Sequence, residues 1–305
     1  MPIDRPAEHD TPRASPESPA ADTPSVAEHE TPDRVACALK YRETVDAAYR
    51  EYQSTREWDE AVPVLREAWE NHEKRWTYPE RTGLTVHPEV PGAWRGDGGR
   101  YLAPEANAEV AHGCARIREV GETLITPAMR RIEAEDPDRH LAGLEYRLKG
   151  EDRLKEKVAR TVEEQPGLTA MRALSGIPDA VRFTLCYTHE HYSAGVRADL
   201  DRLTAQGFEL AKPLKNSWSS EQYKGINTQF REPETGVLFE VQFHTLASFE
   251  AKQLTHGAYE RIRNPQVSGA ELDEMEDFQR QVCDKIPIPP GAADIHATPR
   301  KERDG

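Results

Sequence analysis

The feature that most constrains the fold is a two-residue alternation of polar and apolar side chains in the second half of the chain. In residues 237–243, apolar residues alternate with Glu240 and Gln242. Side chains two apart share a face of a strand, so this segment predicts a strand with one wet and one buried face. Four other segments also have strand character: 145–149, 179–187, 207–214 and 223–230.

Between these strands the apolar period changes to three and four residues. Residues 152–163, 192–205 and 249–263 are therefore predicted to be helices. Strands interleaved with helices, some joined as hairpins, are typical of the α+β class. We predict a five-stranded mixed sheet flanked by helices and preceded by a helical region.

Composition divides the rest of the chain. Residues 1–34 contain seven prolines, eight acidic and three basic residues, which predicts a disordered acidic tail. Residues 35–138 show helical spacing, and Pro104 is typical of a helix start. The α+β domain with its last helices is expected over 139–285, and the Pro- and charge-rich residues 286–305 are expected to be loose.

Charge and cysteine usage exclude several classes of protein. With 40 basic and 54 acidic residues the net charge is −14, which argues against a nucleic-acid coat or a binder of anionic membranes. No apolar run approaches the roughly 20 residues that span a bilayer. The cysteines are too far apart for a zinc or redox motif. These features indicate a soluble, cytoplasmic protein with reduced thiols at Cys37, Cys114, Cys186 and Cys283.

Strand parity predicts three polar faces. Their members are Glu145, Arg147 and Lys149; Tyr223, Gly225, Asn227 and Gln229; and Glu240, Gln242 and His244. If these faces join, one side of the sheet carries cations, a carboxylate, amides and a tyrosine. The alternative is an antiparallel sheet with a solvated face, where alternating polar residues need no further explanation.

A polyphosphate would suit such a face. Five cations fall within eleven residues of an acidic chain: Arg147, Lys149, Arg153, Lys155 and Lys157. Arginine forks and lysine charges bind phosphate oxygens. A carboxylate such as Glu240 suits Mg²⁺, which prefers oxygen ligands and bridges phosphates.

In residue types and spacing these segments resemble the synthetase domain of the RelA/SpoT family, the alarmone synthetases, over about residues 140–265. The family's Arg-x-Lys, Ser and Lys series is matched by Arg147, Lys149 and Lys157, with Arg153 at the Ser position. Its Tyr-x-Ser-x-His loop is matched by Tyr223, Gly225 and Asn227. Its Glu-x-Gln-x-Arg-Thr strand is matched by Glu240, Gln242, His244 and Thr245.

A closer resemblance is to the actinobacterial branch called ATP nucleotide 3′-pyrophosphokinases. The tracts 215–218, 223–228 and 240–245 resemble that branch, and the likeness reaches back to 98–105. The helical region would then belong to the enzyme's own architecture.

The resemblance implies a nucleotidyltransferase-type fold that moves the β,γ-pyrophosphate of ATP to the 3′-hydroxyl of an acceptor purine nucleotide. It implies ATP-binding roles for Arg147, Lys149, Lys157, Arg153 and Arg182. Asp179 and Glu240 would be catalytic and would hold Mg²⁺, with Glu240 taking the hydroxyl proton. The acceptor would be bound by Tyr223, Lys215, Asn227, Gln242 and His244.

Three departures from the family pattern matter. The slot five residues before Arg182, usually an Asp, holds Ile177, and Asp179 is the nearest carboxylate. Asn227 stands at a family histidine and His244 at a family arginine. These exchanges put the acid–base role of the first position and the phosphate contact of the second in doubt.

Two further functions stay open beside nucleotide pyrophosphorylation. A toxin-type member of the same fold would make adenosine alarmones or act on the 3′ end of tRNA, although an acidic chain disfavours tRNA. A non-catalytic nucleotide-binding scaffold would keep the fold without the chemistry. The chain's single His-Asp pair, His9-Asp10, lies in the tail, so we expect synthesis without hydrolysis. The sequence leaves the acceptor base and homo-oligomerisation undecided.

Overall fold

The computed structural model describes residues 90–96, 99–263, 267 and 269–299, with the isolated positions 63, 66, 67 and 70. The predicted tail and most of the helical pattern before residue 90 lie outside the described residues.

The described part opens with a small hairpin and a helical layer. The hairpin pairs β1 (Trp94–Arg95) with β2 (Tyr101–Leu102). Helix α1 (Pro104–Val120) begins at the predicted proline and continues through a π-helical turn, Gly121–Ile125, into α2 (Thr126–Ala134).

The rest alternates strands and helices, as predicted. In chain order the elements are β3 (Arg139–Ala142), α3 (Glu151–Glu164), α4 (Ala170–Ser175), β4 (Arg182–Tyr187), α5 (Tyr192–Ala205), β5 (Glu209–Leu210), β6 (Lys215–Asn216), β7 (Ile226–Arg231), β8 (Leu238–Thr245), α6 (Leu246–Leu254), α7 (His256–Ile262) and α8 (Gly269–Asp284). The helices predicted over 152–163 and 192–205 are confirmed. The helix predicted over 249–263 is two helices, divided at Thr255.

The main sheet is mixed, which confirms the α+β class, and it has six strands instead of five. The order is β3-β4-β8-β7-β5, and β6 pairs with β7 beside β5. The central pair β4 and β8 is parallel, and the other pairs are antiparallel. Arg182 therefore lies directly beside Glu240, on adjacent strands.

One face of this sheet is the hydrophobic core. Phe183 and Leu185 of β4 and Phe239, Val241 and Phe243 of β8 are each at most 1% exposed. Since these residues are two apart, the residues between them face the opposite side. A second apolar cluster lies between α1, α3 and α4; its buried members include Trp94, Leu102, Val110, Leu154, Val158 and Leu174.

The strand predicted at 145–149 was wrong. Gly143 adopts a left-handed conformation (φ 63°), and Leu144–Tyr146 then form a 3₁₀ turn. Only a single bridge follows, between Leu148 and Val181. The polar alternation here fits a turn as well as a strand, so Glu145 does not share a strand face with the residues that follow it.

Strand boundaries also shifted. The strand predicted from 179 begins at Arg182, because Pro178–Ala180 form a 3₁₀ turn that carries Asp179. The strand predicted over 207–214 is reduced to β5, and β3 and β6 were not predicted.

Residues 286–299 differ from the expected loose tail. Ile286, Ala292 and Ile295 are at most 4% exposed. The Asn216 side chain donates from Nδ2 to the carbonyls of Ala292 (2.8 Å) and Ile295 (3.1 Å). Burial of these apolar groups offsets the entropy of ordering a Pro-rich segment. None of the helices in the described part of the chain combines the length and the hydropathy that crossing a bilayer requires.

Candidate active site

The polar faces of β4, β7 and β8 join into one surface, as parity predicted for the last two strands. The register places Arg182 and Gln229 on either side of Glu240, and Thr184 and Asn227 on either side of Gln242. This surface, which we call the polar face, comprises Arg182, Thr184, Asn227, Gln229, Glu240, Gln242 and His244.

Asp179 is the centre of a cation cluster at the edge of the polar face. Its carboxylate accepts hydrogen bonds from Lys157 Nζ at 2.7 and 2.6 Å, one to each oxygen. Arg182 Nη2 donates to Oδ2 at 2.9 Å, and Lys149 Nζ lies 3.2 Å from the same oxygen. The Asp179 side chain is only 12% exposed. Three cations thus converge on one carboxylate, and we call these four residues the Asp179 cluster.

The three cations of the Asp179 cluster favour the charged form of the Asp179 carboxylate. Burial opposes ionisation of Asp179, but the hydrogen bond from Lys157 and the charges of Lys149, Lys157 and Arg182 outweigh it and lower its pKa. The pKa of Lys149 is lowered by burial and by the neighbouring cations Lys157 and Arg182, against the attraction of Asp179. Positive charge is therefore in excess here, an arrangement that attracts polyanions.

Glu240 lies on the other side of Arg182. Its Oε2 is 3.7 Å from Arg182 Nε, and its Oε1 accepts a hydrogen bond from Gln242 Nε2 at 2.5 Å. The Glu240 side chain is 13% exposed. Asp179 and Glu240, the two predicted carboxylates, are therefore brought together around a single guanidinium.

This donor set fits Mg²⁺ only together with a nucleotide. Among the described residues, no three His, Cys, Asp or Glu side chains are grouped to hold a metal by themselves. Mg²⁺ in nucleotide sites takes one or two carboxylates and completes its shell with phosphates and water. Asp179 and Glu240 supply that number, and both oxygens of Asp179 accept hydrogen bonds from Lys157.

Tyr223 is held by two polar-face residues. Its hydroxyl donates to Asn227 Oδ1 at 2.9 Å and lies 2.9 Å from His244 Nε2. Burial and the charge of Glu240 raise the pKa of Tyr223. Burial and the nearby Lys252 ammonium lower the pKa of His244 well below its usual value, so this imidazole is neutral at pH 7.

His244 is itself completely buried and fixed from behind. Its Nδ1 lies 2.9 Å from Ser248 Oγ, on the first turn of α6. A Cβ at Gly225 (φ 147°) would lie 2.7 Å from His244 Cε1, so the absence of a side chain there makes room for the ring. The predicted direct contact of His244 with the acceptor is therefore replaced by a contact with Tyr223.

The other predicted residues are placed differently. Lys215, exposed on β6, pairs with Asn227 and lies beside the polar face. Arg153 is exposed on α3, four residues before Lys157 and thus on the same side of that helix. Arg147 points elsewhere: its guanidinium donates to Glu122 Oε2 at 2.5 Å and to Thr126 Oγ1 at 3.1 Å.

Lys252, on α6, was not predicted. Its Nζ donates to Gln242 Oε1 at 2.5 Å and lies 5.4 Å from the Phe249 ring centroid. Burial and the charge of Arg182 lower its pKa to about 8, although Glu240 acts in the opposite direction. The available signal was its position one helical turn after Ser248, among small and apolar residues.

Comparison with known proteins gave only structural similarity. No protein-family model and no curated protein matches the chain. Small alarmone synthetase 1 from Bacillus subtilis, bound to its product pppGpp, has 16% sequence identity and a TM-score of 0.42, over 57% of this chain and 91% of that one. A GTP pyrophosphokinase family protein from Streptococcus pneumoniae has 13% identity and a TM-score of 0.40, over 60% and 90%. What this chain does is therefore inferred from its own residues.

Proposed function

We propose that this protein is a pyrophosphokinase that transfers the β,γ-pyrophosphate of ATP to the 3′-hydroxyl of an acceptor purine nucleotide. The observation that carries the proposal is the convergence of Lys149, Lys157 and Arg182 on Asp179, with Glu240 across Arg182 on the same polar face. Such transfer requires positioning and charge neutralisation more than covalent chemistry.

The ATP phosphates bind where cations are in excess. Lys149, Lys157 and Arg182 now share one carboxylate, so a polyphosphate gives each of them an additional oxygen partner. Arg153, exposed on the side of α3 that carries Lys157, extends this positive surface. Arg147 joins the donor site only after exchanging Glu122 for a phosphate, so we assign it the weakest contribution.

Asp179 and Glu240 would hold Mg²⁺, which supplies charge neutralisation on the phosphates when it is bound. The same guanidinium, Arg182, contacts both carboxylates and keeps them on one side of the sheet. Each carboxylate is only slightly exposed, so its charge is screened less by water than a surface charge would be.

The acceptor occupies the opposite side of Glu240, toward Tyr223. Because its hydroxyl is held by Asn227 and His244, Tyr223 presents a fixed ring on which a purine can stack. Gln242 and Asn227 offer amides to the ribose, and Lys215 lies on the strand beside Asn227. His244 acts through Tyr223 as a positioning residue.

The reaction then proceeds with Glu240 as the base. Glu240 takes the proton of the acceptor 3′-hydroxyl, and the oxygen forms a bond to the β-phosphorus of ATP. The bond between that phosphorus and the oxygen bridging to the α-phosphorus breaks, and AMP leaves with the electron pair. Lys149, Lys157 and Arg182 stabilise the charge that grows on AMP.

We propose synthesis without hydrolysis, in a reducing, cytoplasmic setting. Three buried cysteines, Cys114, Cys186 and Cys283, are free thiols, which fits that setting. An adenine or a guanine nucleotide is the proposed acceptor class, because a tyrosine ring stacks on either base.

The test is transfer of label from γ-labelled ATP. The full chain is incubated with Mg²⁺ and, separately, AMP, GDP, GTP or bulk tRNA, and the products are separated by chromatography. Glu240→Gln keeps the size of the side chain and removes the base, so it is the matched control.

Label on a nucleotide, lost in Glu240→Gln, supports the proposal and identifies the acceptor. Label on tRNA alone would show that the acceptor is a tRNA end and not a free nucleotide. ATP binding without transfer to any of the four acceptors contradicts the proposed chemistry.

A further inference from the structure

Lys252 differs in its partners from the three cations of the Asp179 cluster. Lys149, Lys157 and Arg182 each contact the Asp179 carboxylate within 3.2 Å. Within the described part of the chain, the Lys252 ammonium has no carboxylate within 4.0 Å and makes its hydrogen bond to the neutral amide oxygen of Gln242. The protein therefore neutralises the charge of Lys252 less than it neutralises the three cations of the Asp179 cluster.

An ammonium has three N–H donors. The hydrogen bond to Gln242 uses one, which leaves two for a ligand. Lys252 is partly exposed, and its Nζ contacts the side chain of Gln242 on the polar face. A partly buried ammonium binds an anion more strongly than a surface lysine does, because water screens it less.

The position of Lys252 indicates which ligand it meets. Going along β4 and β8 toward their carboxyl ends, one passes from Arg182 and Glu240 to Gln242 and then His244. Gln242 lies between Glu240 and Lys252, since it donates to the first and accepts from the second. Lys252 thus lies beyond Gln242 as seen from Glu240, and it is close to His244, which contacts Tyr223.

We propose that Lys252 binds a phosphate group of the acceptor nucleotide. In the proposed function the 3′-hydroxyl of the acceptor reaches Glu240, and the purine of the acceptor stacks on Tyr223. The phosphate of the acceptor then lies near Lys252, the cation beyond Gln242. This inference rests on the proposed function for the direction in which the acceptor lies. It adds a recognition element to that function: nucleotides bind more tightly than nucleosides with the same base.

The charged groups that face Lys252 fit this role. Arg182 and Cys186 face it from β4, and Glu240 and His244 face it from β8. Burial raises the pKa of the Cys186 thiol to about 12, so this thiol is neutral at pH 7. His244 is neutral as well, which leaves Glu240 as the negative charge acting on Lys252 among these groups. Glu240 itself accepts a hydrogen bond from Gln242.

Direct binding tests the assignment without relying on catalysis. Binding of GDP, guanosine, AMP and adenosine to the full chain is measured by calorimetry without ATP or Mg²⁺. Lys252→Met removes the charge and keeps the length, Lys252→Arg restores a cation, and Lys212→Met alters an exposed lysine between β5 and β6 as the control. Thermal melts establish that each variant is folded.

We expect Lys252→Met to weaken binding of the nucleotide about tenfold or more, as loss of a charge-assisted hydrogen bond does, and to leave the matching nucleoside unchanged. Lys252→Arg should bind the nucleotide with an affinity within about threefold of that of the natural chain. Equal losses for nucleotide and nucleoside, or no loss for either, would overturn the assignment.

The two proposals fail in different ways. If Lys252→Met weakens nucleotide binding while the natural chain transfers no pyrophosphate, the phosphate site stands and the proposed chemistry does not. If the natural chain transfers pyrophosphate and Lys252→Met binds nucleotide normally, the chemistry stands and the role of Lys252 is refuted.

Discussion

Replacing Asp179 by asparagine tests whether this carboxylate stabilises the cation cluster and whether a polyphosphate can take its place. The substitution keeps the shape of the side chain and removes the charge that neutralises Lys149, Lys157 and Arg182. Removing one partner of a buried ion pair costs about 3–5 kcal/mol, and an exposed pair contributes about 0–1 kcal/mol.

The burial of the Asp179 cluster lies between those two limits. The exposed fraction of the side chain is 12% for Asp179, 23% for Lys149, 30% for Lys157 and 34% for Arg182. We therefore expect Asp179→Asn to lower the free energy of unfolding by about 2 kcal/mol at pH 7 and low salt, which is about 4–8 °C in Tm for a domain of this size.

Urea denaturation with and without sodium tripolyphosphate is the assay. A polyphosphate replaces the missing negative charge, so it should stabilise the variant more than the natural chain; saturation at about 100 Kd adds about 2.7 kcal/mol. Pyrophosphate transfer by the variant should be lost, because the carboxylate proposed for Mg²⁺ is gone.

The difference in stability between the natural chain and Asp179→Asn depends on pH with a definite sign. The pKa of Asp179 is lower in the folded state than in the unfolded state, so its stabilisation is present above about pH 4, the unfolded value, and disappears as the pH falls through the folded value. The difference between the two proteins should therefore narrow as the pH falls below about 4. Equal stability at pH 7, or no response to tripolyphosphate, would refute the reasoning.

Three further predictions concern single residues. Gly225→Ala should lower the free energy of unfolding by about 2 kcal/mol in urea and raise the KM of the acceptor, because the new Cβ meets His244 at a backbone φ of 147°; an unchanged KM would show that the ring's position is unimportant. The kcat/KM for the acceptor should fall as the pH rises through about 8 and Lys252 loses its charge, and this step should vanish in Lys252→Met. Arg147→Met should raise the KM of ATP less than Lys157→Met does, since Arg147 contacts Glu122; steady-state kinetics showing the reverse order would place Arg147 at the phosphates.

The central strands could be predicted because a buried sheet face leaves a clear two-residue pattern. In β8, Phe239, Val241 and Phe243 lie in the core and Glu240 and Gln242 lie on the opposite face, as predicted, but Gln242 is only 5% exposed and that face is not wet along its whole length. The α+β class followed from such segments, whereas the joining of the polar faces depends on the register between strands, which the pattern within one strand leaves open.

The segment around Arg147 could not be predicted in the same way. Its alternation is set by a 3₁₀ turn after Gly143, and the left-handed φ of a glycine has no period in the sequence. Strand β3 was missed because Arg139–Ala142 is short and is stabilised by pairing with β4, which is distant in sequence.

The site residues show the same division. Glu240 was predicted as a carboxylate beside cations, and Asp179 was predicted through the family resemblance. Asp179, three residues before Arg182, reaches it locally, but Glu240 reaches it only through the parallel register of β4 and β8. Lys252 gave no strong signal, because a lysine on an amphipathic helix is ordinarily solvated; only the packing of α6 onto the sheet brings it to Gln242.

The central claim is tested most directly by the stoichiometry of products. The full chain, ATP, Mg²⁺ and the acceptor are incubated, and the nucleotides are quantified by mass spectrometry at early times. The proposed reaction predicts one AMP for each acceptor that gains two phosphates on its 3′-oxygen, with no ADP formed from ATP. Formation of ADP, or of AMP with free pyrophosphate and an unmodified acceptor, would contradict pyrophosphate transfer by the Asp179 cluster and Glu240.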